Sequence, residues 1–460
     1  MHAFPWQPHN HNQLAPTQQR TTGSPPWCRS ANMDTFTPQT LAARFLFPIE
    51  GSVIERGTIT MHGAKITAIE REATNARARD LGNVAILPGL INAHTHLEFS
   101  ALTAPLGEPG MPLPEWIERV VRWRRAAGDT ATPVSPDHAV QQGLCESLRH
   151  GVTGLGEICT TDWQDSAFPA SPASCTLFRE QIGLSPERSR ASLRSADQWL
   201  TEFATRCSQQ APGPTAGPRY PGLSPHAPYT VDIPLLESLC SLSRKSDSPV
   251  AMHLAESPEE VELLRTGRGA LAAMLDRLGA RDPASPHTER SPYDYLLRLA
   301  NTPRLLVIHG NYLNQRELDL LAQHRDHVSI IFCPRTHAFF QHTRYPWESV
   351  LARGIPLALG TDSRASNPDL NLLAEMQFLL GQTSSPSPQQ VLQLGTRNGA
   401  RALGQHHEMG ALKPGMLANL IVIRLPDRPA KDPHELLFDP ESKVIRTYVH
   451  GALVHAEEST

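Results

Sequence analysis

Two histidines one residue apart, His94 and His96, close a short apolar run made by Ile86, Leu87, Leu90 and Ile91. The run reads as a buried strand, and side chains two apart leave a strand on the same face. The two imidazoles therefore converge, which is a common beginning of a metal site. Alone, the pair describes two surface or core histidines equally well. Further donors decide the matter, and the chain supplies them in His253-Leu254-Ala255-Glu256, at His309, and in Gly360-Thr361-Asp362-Ser363. His94, His96, His253 and Asp362 make a mixed nitrogen and oxygen set. It suits one divalent cation, zinc first and iron second, with a position left open for water. Such a cation lowers the pKa of a bound water from about 15.7 to about 7. The lysines (Lys65, Lys245, Lys413, Lys431 and Lys443) all fall away from strand ends. A second metal bridged by a modified lysine is therefore not expected.

These residues recur at the ends of a repeating strand–helix pattern. Beginning at Ile86, strands are expected over 86–91, 152–158, 175–180, 222–226, 250–253, 305–309, 328–333 and 355–360, with helical stretches such as 116–125, 138–149, 191–204 and 233–243 between them. Eight such units favour an α/β fold, a (β/α)8 TIM-type barrel. The competing open sheet is disfavoured because no Gly-x-Gly-x-x-Gly follows a strand. Barrel sites collect where the strands' C-terminal ends meet. That rim carries His94 and His96, then Arg179 and Glu180, His226, His253 and Glu256, His309, Thr336 and His337, and Asp362. Short alternating strands also occur over 33–85 and again over 409–460. They imply a small β-sandwich built from both termini, flanking a barrel over 86–408. The polar segment 278–303 reads as a loop insertion or lid.

Composition narrows the function. A formal charge of -4 over 460 residues gives no basic face for nucleic acid or a membrane surface, and no apolar run reaches membrane-spanning length. Seven cysteines without CxxC pairs fit a reducing, cytoplasmic setting. Residues 1–32, rich in Pro, Gln, Asn and His, read as a disordered tail, with Met33 as an alternative start. A small-molecule substrate and a homo-oligomer are the expected partners.

Taken together, the chain resembles the amidohydrolase superfamily, in its chlorohydrolase and aminohydrolase (ATZ/TRZ) branch. The resemblance rests on Pro-Gly-Leu-Ile-Asn-Ala-His-Thr-His at 88–96, Ser-Pro-His-Ala-Pro-Tyr-Thr at 224–230 and His-Leu-Ala-Glu-Ser at 253–257. It continues in Val-Ile-His-Gly at 307–310, Gly-Thr-Asp-Ser at 360–363 and Leu-Lys-Pro-Gly-Met-Leu-Ala-Asn-Leu at 412–420. It implies that His94, His96, His253 and Asp362 hold the metal and that Glu256 protonates a ring nitrogen. His309 would orient and polarise the attacking hydroxide, and Asp362 would pass its proton to leaving ammonia. Trp116, Arg179 and His226 match positions that bind the nucleoside in similar deaminases of S-adenosylhomocysteine and methylthioadenosine. The glutamate those enzymes place further along the helix has no counterpart, and Arg124 and Arg125 occupy its neighbourhood. The stretches at 96–100 and 363–373 resemble aminodeoxyfutalosine deaminases of menaquinone biosynthesis, whose benzoate an arginine such as Arg124, Arg125 or Arg179 would pair. Cys-Pro-Arg-Thr-His at 333–337 departs from the Cys-Pro-x-Ser-Asn of many relatives. The expected activity is hydrolytic deamination of a 6-aminopurine nucleoside: aminodeoxyfutalosine, then S-adenosylhomocysteine, methylthioadenosine or adenosine. The alternatives are a triazine or guanine-type chlorohydrolase or deaminase and, in another class, an inactive barrel acting as an assembly subunit.

Overall fold

The computed structural model describes residues 37–71, 78–128, 136–160, 171–209, 216–281, 289–383 and 385–457. The expected tail over 1–32 and the centre of the 278–303 segment, 282–288, lie outside the described residues.

Eight parallel strands form one sheet in chain order: β1 (Leu90–Thr95), β2 (Val152–Cys159), β3 (Ser174–Gln181), β4 (Arg219–Pro225), β5 (Val250–Leu254), β6 (Leu305–His309), β7 (Val328–Phe332) and β8 (Leu357–Leu359). A parallel bridge between Thr95 and Asp362 closes the ring. Polar side chains lock this seam. Asn92 Nδ2 donates to Thr361 Oγ1 at 2.8 Å, the Thr361 N–H donates to Asn92 Oδ1, and Thr95 Oγ1 donates to the Asp362 carbonyl at 3.0 Å. The barrel strands run through residues that are almost wholly buried, and the interior is filled by Ile91, Ala93, Ile158, Phe178, Ala251, Leu306, Ile308, Ile331 and Ala358. Outward side chains pack under helices that include α2 (Pro136–Arg149) and α3 (Pro186–Gln209), whereas α1 (Leu113–Gly128) packs against Phe99, Ala365, Phe339 and Phe340.

The apolar run expected as one strand from Ile86 is in fact two. Val84–Pro88 pairs antiparallel with Leu420–Arg424 and parallel with Phe45–Leu46, in a six-stranded sheet drawn from both termini. Only Leu90–Thr95 belongs to the barrel. The change of sheet falls at Gly89, where a Cβ would lie 2.1 Å from Thr153 Oγ1, so the close approach to β2 requires glycine. A second sheet of four strands, from Gln39–Ala42 to Arg79–Asp80, faces the first. Leu46, Ile59, Met61, Ile66, Ile86, Leu420 and Val422 fill the space between them as a sandwich core.

The segment expected as a loop insertion also contains structure: Pro292–Leu299 is a helix. Asp294 accepts from the Ser291 N–H at its start, and Tyr295, Leu296 and Leu299 are buried against the barrel. Loop-like composition before Ser291 hid a short amphipathic turn pattern after it. Five described cysteines, Cys145, Cys159, Cys175, Cys240 and Cys333, are free thiols. Among the described residues, no helix is long and apolar enough to cross a membrane.

Candidate metal centre and its surroundings

Ile91 and Ala93 face the barrel interior, so strict alternation would turn His94 and His96 away from it. A register irregularity between Asn92 and Thr95 in the β1–β2 pairing breaks the alternation and re-aims both rings. His253 follows Ala251 inward by ordinary alternation. His309 and Asp362 arrive differently: each holds a positive φ, 67° and 57°, at the end of its strand. Such backbone is costly for residues with a Cβ and is concentrated at functional sites.

The result is a compact cluster. His96 Nε2 lies 3.3 Å from His253 Nε2, and Asp362 Oδ1 lies 3.6 Å from His94 Nε2 and 3.7 Å from His96 Nε2. His253 Nδ1 donates to the His226 carbonyl at 3.0 Å, which leaves Nε2 as a lone-pair donor facing its neighbours. His94 Nδ1 and Nε2 and His96 Nδ1 are buried with no hydrogen-bond partner among the described residues. Four ligands at about 2.0–2.1 Å around a tetrahedral zinc stand about 3.4 Å apart, which is close to the spacings here. The donor atoms thus suit a divalent cation, since His253 Nε2 offers its lone pair and three further ring nitrogens beside it have no hydrogen-bond partner among the described residues. Burial, then neighbouring imidazoles, holds His96 and His253 well below the usual histidine range, so both offer neutral nitrogens. Burial would raise Asp362, but the surrounding histidines, His94 first, keep it ionised and below the usual carboxylate range. His309 shares the cluster with His94 and His253, so proximity alone does not separate it from the other three imidazoles.

Glu256 stands beside this set, with Oε1 3.5 Å from His309 Nε2. Burial, with the Asp362 and Glu260 charges added, pushes its carboxyl well above the usual range, which favours the protonated acid. Glu260 fixes the turn before it by accepting from the Ala255 and Glu256 N–H groups at 2.8 and 3.2 Å.

The three expected substrate contacts separate. Trp116, on α1, donates Nε1–H to the Ala365 carbonyl at 3.0 Å and packs edge-on to Phe340, placing it over the loop that carries Asp362. His226 lies one ring from the cluster, 5.3 Å from His253 between centroids. Arg179 is not brought to them. Phe178 points into the barrel and Leu177 outward, so Arg179 follows Leu177 to the outer side, its guanidinium over the Trp199 ring of α3. Its neighbour Glu180 takes the inward direction. Of the other arginines, Arg125 is exposed, while Arg124 is half-buried, paired with Glu98 at 2.5 Å and stacked over Phe99. His337 sits on the helix Pro334–Phe339, its pKa lowered to about 4 by burial.

Two supporting residues escaped the sequence reading. Glu157, fully buried on β2, accepts the Leu97 N–H with both oxygens (3.0 and 3.1 Å) and so anchors the residue after His96. A lone charge inside the apolar strand 152–159 was the available signal. Ser366 donates to Asp362 Oδ2 at 3.2 Å; it stood in the 363–373 stretch only as part of a resemblance, with no role of its own.

Comparison with known proteins now fits this geometry. The amidohydrolase family model matches residues 85–454. The chain belongs to the amidohydrolase family. It is accordingly a hydrolase acting on carbon–nitrogen bonds. It is 28% identical over 409 residues to a 5-methylthioadenosine/S-adenosylhomocysteine deaminase of Syntrophomonas wolfei, covering 85% of this chain and 86% of that one. It is 27% identical over 365 residues to an aminodeoxyfutalosine deaminase of Deinococcus radiodurans, covering 77% and 81%. The fold matches that of Helicobacter pylori aminofutalosine deaminase, with a TM-score of 0.75, 22% identity, and 91% and 100% of the two chains covered.

Proposed function

We propose that this amidohydrolase removes the 6-amino group of an adenine nucleoside by hydrolysis, with aminodeoxyfutalosine as the first candidate and S-adenosylhomocysteine, methylthioadenosine or adenosine next. The observation that carries the reading is a buried Glu256, its carboxyl pushed well above the usual range, 3.5 Å from His309 and beside a cluster of converging histidines and one aspartate. Relatives of both deaminase kinds support the substrate class. A cation held by His94, His96, His253 and Asp362, zinc or iron by its donors, supplies a water acidic enough to attack at neutral pH.

The residues then divide the proton traffic. Glu256 gives its proton to the ring nitrogen beside the attacked carbon, so that carbon becomes tetrahedral without building anionic charge on the ring. His309 holds the attacking oxygen. Asp362 takes a proton from the water and delivers it to the departing amine. A C–O bond replaces the C–N bond, ammonia leaves, and the water's second proton restores Glu256. For aminodeoxyfutalosine, Arg124 is the cation placed to meet a carboxylate, in exchange for Glu98.

The test is a panel of aminodeoxyfutalosine, S-adenosylhomocysteine, methylthioadenosine and adenosine, scored for ammonia release with metal content measured in parallel. Release from at least one supports the reading. None from any, with metal bound, overturns it and turns attention to triazines and guanine.

A further inference from the structure

Glu256 reaches the metal cluster against the parity of its own strand. Along β5, Ala251 faces the barrel interior, while Val250, Met252 and Leu254 face the outer core. Strict alternation would therefore turn Ala255 inward and Glu256 outward. Instead Ala255 joins Leu254 in the outer core with a φ of 52°, and Glu256 lies 3.5 Å from His309. A left-handed backbone is disfavoured at a residue with a Cβ and persists only where its surroundings impose it. Here every main-chain polar group of Ala255 and Glu256 is held. Glu260 Oε1 accepts the Ala255 N–H at 2.8 Å, and Oε2 accepts the Glu256 N–H at 3.2 Å. The Ala255 carbonyl accepts from the Tyr312 N–H and the Glu256 carbonyl from Asn311 Nδ2, both at 3.0 Å.

Position 260 calls for a carboxylate. The side chain is fully buried, and among the described residues its oxygens have no partner besides these two N–H groups. Burial pushes its pKa up to about 7, with the two N–H groups acting against that rise. A carboxylate offers two acceptor oxygens, whereas a glutamine amide offers one and would turn its NH2 against the second N–H. Asn311 and Tyr312 follow His309, whose own φ is 67°, so the other half of the clamp ties the turn of Glu256 to the turn of His309. We propose that Glu260 and Asn311 are positioning residues, a clamp that holds Ala255 in its left-handed conformation and so keeps Glu256 aimed beside His309. The proposal rests on the reading of Glu256 as the acid of the reaction above. Without the clamp, Ala255 relaxes to ordinary backbone and the carboxyl swings toward the outer side of the barrel.

The experiment pairs kinetics with amide hydrogen exchange in metal-loaded enzyme, using the nucleoside of the panel that releases ammonia fastest. Glu260→Gln is expected to lower kcat about 10²-fold, the cost of misplacing a reacting group by about an ångström, with KM and metal content near wild type. Asn311→Ala should act in the same direction. Once Glu256→Gln has removed the group to be aimed, Glu260→Gln should cost little more. Exchange at the Ala255 and Glu256 amides, slow in wild type, should quicken in Glu260→Gln. Ser257→Ala is the control for helix capping. It removes only the oxygen that accepts the Glu260 N–H at 3.3 Å, and should lower the denaturation midpoint while kcat stays. A Glu260→Gln loss that multiplies in full with that of Glu256→Gln, or that Ser257→Ala reproduces, would reduce Glu260 to a helix cap and overturn the proposal. Unchanged exchange in Glu260→Gln would overturn it at any activity, as would an unchanged kcat. Quickened exchange in an enzyme that releases no ammonia from any nucleoside would uphold the clamp and sink the deaminase reading.

Discussion

Two buried polar clusters share one end of the barrel, and they are wired oppositely. In the first, His94, His96, His253 and Asp362 converge with contacts of 3.3–3.7 Å, and three ring nitrogens have no hydrogen-bond partner among the described residues. In the second, nearly every group is matched. Arg335 donates Nε–H and its backbone N–H to Glu375 (2.6 and 2.9 Å), and Nη2 to Asp369 at 2.6 Å. Asn367 donates to Glu375 and to the Thr361 carbonyl at 2.5 and 2.7 Å. Burial works against the Arg335 charge, but Glu375 and Asp369 outweigh it and hold the guanidinium protonated. A satisfied cluster of this kind fixes backbone. A cluster of converging donors is completed by what it binds. Depth alone does not separate the two, because both are buried; pairing does.

That contrast breaks most completely if the cation is withdrawn. Chelation is expected to reduce ammonia release to background, with recovery on adding zinc or iron, and His253→Ala should do the same irreversibly. Metal content by atomic spectroscopy checks both, and activity surviving complete metal loss would contradict the assignment. Glu256→Gln comes next, with a loss of about 10² to 10⁴-fold at unchanged metal content. The pH profile carries the sign. Glu256 works in its protonated form, and burial raises its pKa. Activity is therefore retained below that raised pKa and falls as pH climbs through it. In Glu256→Gln that alkaline limb should vanish. A profile unchanged in shape would move the acid role elsewhere.

In the satisfied cluster the damage should appear as stability instead. Glu375→Ala leaves Arg335 as a buried, half-paired cation, at a cost of about 3–5 kcal/mol. A lower denaturation midpoint with metal still bound at wild-type stoichiometry is the expected signature. If Glu375→Ala instead loses metal while keeping its midpoint, the division between the clusters is wrong.

The donors themselves were legible in the sequence, since His94, His96, His253, Glu256, His309 and Asp362 each end an apolar strand pattern. Their aim was not. His94 and His96 face inward through a register irregularity, and His309 and Asp362 through positive φ. Neither feature leaves a mark in residue type. Parity decided the substrate side. At the end of β3 one residue points in and the next out, and the expectation fell on Arg179 where the inward residue is Glu180. The strand of 152–159 had no ambiguity of type, yet the role of Glu157 depends on a neighbour, Leu97, some sixty positions away. The second cluster was invisible for the same reason: Arg335, Asp369 and Glu375 are ordinary surface residue types, and only tertiary contact makes them a buried network.

The smallest expected effect lies where the clusters meet. Asp362 divides its oxygens, with Oδ1 toward His94 and His96 and Oδ2 accepting from Ser366 Oγ at 3.2 Å. Ser366 in turn meets Thr336 Oγ1 at 3.0 Å, next in sequence to Arg335 of the satisfied network. The hydroxyl thus ties the aim of Asp362 to a part of the chain held rigid by its own pairing. Ser366→Ala frees Oδ2 and lets the carboxylate rotate, while Asn367 still holds the Thr361 carbonyl and so the backbone. Outer hydrogen-bond partners of metal-holding groups are worth about 10- to 100-fold in metal affinity. Ser366→Ala should therefore lose metal at that much lower chelator concentration, with its denaturation midpoint near wild type. Ser366→Thr, which keeps the hydroxyl, should restore most of the affinity. If the alanine variant holds metal as tightly as wild type, Asp362 is aimed by its backbone alone, and the satisfied cluster acts on the site through φ rather than through a side chain.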